Sequence, residues 1–156
     1  MTPAIDMLER QKVAYDIHEY THDASTSSYG LEAAEKLGVE SARVFKTLVV
    51  SLNGDELVVG IVPVCTTLNL KKIARAARAK KARMADKLLV QRVTGYVPGG
   101  VSPLGQKKRL RTFVDVSAQA YQSVYVSAGR RGLEIELSPE DLLRITAGSY
   151  HSLSAD

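Results

Sequence analysis

Apolar and polar positions along the chain switch between a helical period and strict alternation, and those switches mark out its elements. Thr2 followed by Pro3 forms an N-cap with proline at the first helical position, and Ile5, Met7 and Leu8 carry a short amphipathic helix to about Gln11. Residues 15–20 alternate and predict a half-buried strand. Residues 21–28, rich in Ser, Thr and Asp, predict a loop, and 31–37 a helix closed by Gly38. Residues 45–50 and 57–62 are β-branched apolar runs joined through Asn53-Gly54, a strong hairpin signal.

A helix over 70–79, capped by Asn69 or Thr67, shows an apolar stripe of Leu70, Ile73, Ala74 and Ala77. Arg83 and Met84 suggest a brief strand, and Asp86 caps a helix that runs to about Val93 and stops at Gly95. Residues 96–108 contain Pro98, Gly99, Gly100, Pro103 and Gly105, which exclude regular structure. Strands are predicted over 110–114 and 123–127, then a turn over 129–132 and a strictly alternating strand over 133–137. Ser138-Pro139-Glu140-Asp141 starts a final helix that runs to about Ala147 and stops at Gly148. There is no repeat, no linker and no regular βαβ alternation. The expectation is one α+β domain over residues 1–156, with a mixed, partly closed, barrel-like sheet and surrounding helices.

One position inside this pattern stands out. Alternation over 45–50 puts Phe45, Thr47 and Val49 on one face and Lys46, Leu48 and Val50 on the other, so an ammonium shares a face with two aliphatic side chains. Such a lysine either snorkels to water at a sheet edge or meets an anion at the floor of a pocket.

Composition narrows the classes. A chain of 156 residues, 45% hydrophobic and 24% charged, is long enough to bury roughly 70% of the surface it exposes when unfolded. It has no apolar run of membrane-spanning length and no secretory pattern at its start. A single cysteine, Cys65, precludes an intrachain disulfide and fits a reducing cytoplasm. It sits at the end of an apolar strand, where a buried small hydrophobe is expected. Three scattered histidines offer no zinc spacing, and neither metal nor cofactor is expected. The net charge of +4 hides a segregated field: thirteen Lys and Arg residues between Lys71 and Arg111 face the single acid Asp86. Either a polyanion such as RNA or DNA binds there, or acids nearby in space balance the field.

Familiar catalytic signatures are missing. There is no nucleophile elbow, zinc-protease helix, Walker loop or dinucleotide fingerprint. His18 lies on an alternating strand and is expected at the surface. What remains is backbone chemistry. The paired glycines of residues 94–105 either bring N–H and C=O groups close to a ligand as an oxyanion-binding concavity or form a tight turn.

These stretches together resemble the YbaK/EbsC family of free-standing aminoacyl-tRNA deacylases, related to the editing domain of bacterial prolyl-tRNA synthetases. The likeness runs through Met1-Thr2-Pro3-Ala4, Glu32-Ala33-Ala34-Glu35-Lys36-Leu37-Gly38, Phe45-Lys46-Thr47-Leu48 and Leu70-Lys71-Lys72. It continues through Thr94-Gly95-Tyr96, Gly99-Gly100-Val101-Ser102-Pro103-Leu104-Gly105-Gln106-Lys107-Lys108, Tyr125-Val126-Ser127 and Gly132-Leu133, nearly the whole chain in one register. The branch it is most similar to hydrolyses Cys-tRNA(Pro).

The resemblance implies that Lys46, with Thr47 beside it, holds the terminal adenosine or its phosphate. It implies that Gly99 and Gly100 position the scissile ester carbonyl, and that Tyr20, Tyr29, Ser127 and Glu134 line the substrate pocket. The basic tract, through Lys71, Lys72, Arg75, Lys107 and Lys108, would grip the acceptor end of the tRNA. Two positions depart from relatives: Glu134 stands where some have Asp, and Ala128 where Gly is frequent. The family's proposed chemistry uses the substrate's own thiol against its ester carbonyl, which accounts for the missing nucleophile. The implied function is trans-editing of Cys-tRNA(Pro), with prolyl-tRNA synthetase as a possible partner. The alternatives are an Ala-tRNA(Pro) deacylase of the same fold and a non-catalytic tRNA- or synthetase-binding module.

Overall fold

The computed structural model describes residues 1–26 and 28–155. Ser27, within the loop expected over 21–28, lies outside the described residues, as does Asp156. Helices α1 (Pro3–Gln11), α2 (Tyr29–Leu37), α3 (Leu70–Ala76), α4 (Lys87–Thr94) and α5 (Pro139–Thr146) alternate irregularly with eight strands among the described residues. The strands are β1 (Asp16–Glu19), β2 (Phe45–Leu52), β3 (Glu56–Pro63), β4 (Ala82–Met84), β5 (Arg111–Asp115), β6 (Val124–Arg130), β7 (Leu133–Leu137) and β8 (Ser149–His151). No described helix is long and apolar enough to cross a membrane.

The helix starts follow from their caps. Thr2 accepts from Ile5 N, Asn69 from Lys72 N, Asp86 from Leu89 N and Ser138 from Asp141 N, each filling an orphan donor of a first turn. Asn53 and Gly54, both at positive φ, turn β2 into β3. The helix expected to reach residue 79 ends at Ala76, because Arg78 takes a left-handed conformation (φ 59°).

The sheet is α+β as expected, but it is not a barrel. The strands form a three-stranded antiparallel sheet, β1-β7-β6, and a mixed five-stranded sheet, β4-β2-β3-β5-β8. Among the described residues one parallel bridge, Val44 to Tyr125, joins them. The ladder does not continue around because β1 ends the small sheet with a mostly exposed strand, and the short β4 and β8 end the large one. The half-burial expected of residues 15–20 therefore gives way to an exposed edge, with Ile17 itself 38% exposed.

Alternation in β2 divides the interior. Phe45 and Val49 join Val59, Ile61, Val126, Ile135 and Leu142 in a core between the two sheets, roofed by α1 and α5. On the reverse face Val50 and Leu52 meet Val58, Val62, Ile73 and Leu153 beneath α3. A third cluster seats Ala33 and Ala34 of α2 on Val44, Val64 and Tyr125, across the seam between the sheets. The C-terminal residues are laced onto the large sheet. Asp115 accepts from Leu153 N (2.9 Å) and Ser154 N (3.0 Å), and Lys72 Nζ donates to Ser154 O (2.8 Å).

Candidate active site at the seam of the two sheets

Where β2 enters its sheet beside the outward face of β6 and β7, a cavity of about 290 Å3 opens. Three elements close it: the start of α2, residues 44–48, and the loop at Gly99 and Val101. Tyr20, Tyr29, Lys46, Thr47, Gly99, Ser127 and Glu134, residues expected from sequence to act together, all line it.

The loop of residues 96–108 holds its shape through its own bonds. Buried Tyr96 donates its hydroxyl to Leu104 O (2.5 Å), Ser102 Oγ accepts from Leu104 N (3.2 Å), and Gln106 Nε2 donates to Ser102 O (3.0 Å). Burial pushes the Tyr96 phenol up to about 12, so it remains a donor across the physiological range.

Gly99 sits at φ 83°, where an added Cβ would fall 2.5 Å from Arg131 Nε and 2.7 Å from the Tyr29 ring. Gly100 does not line the cavity. Its Cα faces the Arg130 backbone, 2.9 Å from where a Cβ would be, so its smallness seats the loop on β6. Of the paired glycines, Gly99 lines the cavity and Gly100 packs the turn.

Arg131, unmarked in the sequence beyond its turn, joins these parts. Its guanidinium lies 3.8 Å over the Tyr29 ring and Nη2 donates to Pro98 O (3.2 Å), linking α2, the glycine loop and the β6–β7 turn. The sole available signal was an arginine in a Gly-Arg-Arg-Gly turn, which says nothing about what it stacks on.

Helix α2 meets the cavity with its first turn. Ser28, Tyr29, Gly30 and Leu31 all line it, so N–H groups without acceptors inside the helix, and the positive end of the dipole, belong to this wall. Gly30 permits that approach, since a Cβ there would fall 2.3 Å from Val64 Cγ1. The preceding loop is pinned by buried Glu32, which bonds His22 Nδ1 (2.6 Å) and Asp23 N (2.8 Å). Burial alone would raise its carboxyl, but these bonds outweigh it and hold it below the usual range.

Lys46 adds the side-chain cation. Its ammonium has no hydrogen-bond or ion-pair partner among the described residues, and burial lowers it from the usual lysine value against an opposing contribution from nearby Cys65. Thr47 Oγ1, beside it, is buried without a partner. Cys65 is exposed, not buried as expected, because it stands in the turn after β3. Glu134 lies across from Ser127 in the β6–β7 register and is 6% exposed, and burial pushes its carboxyl up to about 8. Tyr20 is raised by burial and next by the Glu134 charge. Ser127 Oγ accepts from Gly129 N (3.1 Å) at a bulge that interrupts the β6–β7 register. Ala128 turns the other way into the main core, so its departure from glycine leaves the cavity wall untouched.

No histidine or cysteine is among the described residues that line the cavity, and the nearby His22 ring stands edge-on to Tyr29 (centroids 5.5 Å apart) while its Nδ1 is bonded to Glu32. His18, expected at the surface, is partly exposed and pairs with Glu136 (2.9 Å).

The basic tract separates into parts. Lys71, Arg75, Lys107 and Lys108 are exposed, whereas Lys72 is engaged with the C-terminal segment and Arg111 pairs with Glu56 (2.9 Å).

Comparisons with known proteins agree with this geometry. The sequence model of the family described as "Aminoacyl-tRNA editing domain" matches residues 24–145. Over 153 residues the chain is 40% identical to the "Putative Cys-tRNA(Pro)/Cys-tRNA(Cys) deacylase EbsC" of Enterococcus faecalis, covering 98% of this chain and 93% of that protein. It is also 29% identical to a proline–tRNA ligase of Desulforamulus reducens, covering 95% of this chain and 26% of the ligase. A solved structure described as "a putative trans-editing enzyme for prolyl tRNA synthetase" superposes with a TM-score of 0.87 at 23% identity, over 99% of this chain and 96% of the other. With the family match spanning most of the chain and its sheets, glycine loop and seam cavity in place, this protein belongs to the YbaK/EbsC-type aminoacyl-tRNA editing family of deacylases.

Proposed function

We propose that the chain deacylates Cys-tRNA(Pro) in trans, with the seam cavity as its active site. The observation that carries this reading is a cavity holding an unpaired ammonium, a helix N-terminus and an exposed glycine backbone, with no nucleophile–base pair among its described lining residues. Lys46 and the first turn of α2 hold the anionic or ribose-rich 3′ end of the tRNA. Gly99 backbone aligns the ester carbonyl, and Thr47, Tyr20, Tyr29, Ser127 and Glu134 surround the aminoacyl group. Oriented this way, the cysteinyl sulfur attacks its own carbonyl carbon. The ester C–O bond breaks, the ribose oxygen leaves with the thiol proton, and the cyclic thioester departs to be hydrolysed by water. The protein contributes orientation and fixed dipoles. The small share of the proline–tRNA ligase that this chain covers fits a detached editing unit working beside a prolyl-tRNA synthetase.

The test is deacylation of tRNA(Pro) charged with cysteine, serine or alanine, with Lys46→Ala as control. Fast loss of cysteine alone, abolished in the variant, supports the reading. Equal rates on all three remove the thiol mechanism, and preference for alanine assigns the site to the sister specificity.

A further inference from the structure

Glu134 is the least explained group in the cavity. Its side chain is 94% buried, and its carboxyl has neither a hydrogen bond nor an ion pair among the described residues, although the cavity it lines also holds an ammonium. A carboxyl enclosed this far, with no protein donor and only the cavity to face, is stabilised by a ligand that donates to it. Its neighbours narrow the ligand. Tyr20 is close enough to feel its charge, Ser127 is its register partner, and Ser127 Oγ is already accepting from Gly129 N. Lys46 shares the cavity, yet the two form no ion pair.

The cavity is therefore divided by charge. Lys46 and the start of α2 make one wall positive, and the β7 wall presents a lone acid. An aminoacyl ester has the matching division: phosphates and ribose at one end, and a free α-amino group on the carbon next to the carbonyl at the other.

We propose that Glu134 receives the α-ammonium of the bound aminoacyl group, so that the site accepts esters of free amino acids and rejects N-acylated ones such as formyl- or peptidyl-tRNA. This deepens the deacylase reading and rests on it. An α-amino group titrates near 7.7–8.0, close to the buried carboxyl, so the two form a charge-assisted bond whichever carries the proton before they meet. An amide nitrogen has no positive charge and a single hydrogen to offer, and its acyl group needs room beside β7. Glu134 is then a determinant of which esters enter, while the bond-breaking step stays with the substrate sulfur and the glycine loop.

The experiment uses two probes whose ribose link is an amide and does not hydrolyse: 3′-deoxy-3′-(L-cysteinylamino)adenosine and its N-acetyl form. Binding of each to the protein and to Glu134→Gln is measured by calorimetry, alongside deacylation of Cys-tRNA(Pro) and N-acetyl-Cys-tRNA(Pro). The protein should bind the free-amine probe roughly 10- to 100-fold more tightly than the acetylated one, and Glu134→Gln should bring the ratio to within about 2-fold. An equal affinity of the unaltered protein for both probes, or a ratio that survives in Glu134→Gln, overturns the proposal. So does a uniform fall in kcat on both tRNAs with KM unchanged, which would make Glu134 a proton donor instead. If the protein binds the probes with the expected ratio but leaves Cys-tRNA(Pro) intact, the ammonium site stands and the deacylase reading fails.

Discussion

Lys46 and Glu134 line the same cavity without pairing, and burial drives each toward its neutral form: the lysine down from its usual value, the glutamic acid up to about 8. Two opposite charges in so small a space would ordinarily neutralise each other. Keeping them apart leaves both free for a ligand that carries charge at both ends.

Lys46→Ala should lower kcat/KM by at least about 100-fold, the size expected when a positioned charge is removed from a water-poor site. Lys46→Met should be equally inactive yet at least as thermally stable as the unaltered protein, because the ammonium has no described partner to lose. Thermal melts and charged-tRNA assays on the two variants check both halves. A destabilised Met variant would point to a structural lysine.

Glu134 makes stability depend on pH in an unusual direction. Burial pushes its folded carboxyl up to about 8, from an ordinary value of 4.5, so the folded chain holds this proton more tightly than the unfolded one. The contribution is complete below the unfolded value and disappears as pH rises through about 8. Glu134→Gln should therefore match the unaltered protein near pH 5 and exceed it near pH 9, by on the order of 4 kcal/mol at most. Urea denaturation at several pH values reads this difference.

Gly99→Ala and Gly54→Ala form an informative pair, since both glycines sit near φ +80°. At Gly54 nothing lies within 4 Å of the added methyl, so only backbone strain of about 1 kcal/mol is expected, with activity intact. At Gly99 the methyl overlaps Arg131 and Tyr29, so deacylation should fall sharply along with stability. Arg131→Ala should remove the stack on Tyr29 at a cost of about 1 kcal/mol and reduce activity through a looser glycine loop, with Arg131→Lys retaining part of it.

Rising salt should weaken tRNA binding, and Lys71→Ala or Arg75→Ala should each reduce the slope of log K against log salt by about 1 if it meets a phosphate. Lys72→Ala should act differently. Its ammonium holds Ser154 O, so its main effect should be a lower melting temperature.

Much of this was legible in the chain. The caps Thr2, Asp86 and Ser138, the Asn53-Gly54 hairpin and the alternation of β2 around Lys46 are local facts, and the structure has them where the residues indicate. Burial of Glu134 was not legible. Strict alternation over 133–137 turns Glu134 and Glu136 away from the core, and only the docking of α2 and the glycine loop over that face encloses one of them. Strand β8 was missed because Ser149–His151 is only three residues long, and its place depends on a parallel pairing with β5 from far along the chain. The closed sheet failed for a related reason: which strands remain at an edge is decided by long-range register, which no window of sequence displays.

The lacing of the last residues onto Asp115 has a practical side. Leu153 is wholly buried and two backbone N–H groups beyond β8 serve Asp115 Oδ1, while Ser117 N serves Oδ2 (3.2 Å), so loss of the segment after His151 would open a void and leave Oδ1 without a donor in one cut. A break in the backbone at Ser152 would therefore unfasten the large sheet without touching any residue that lines the seam cavity.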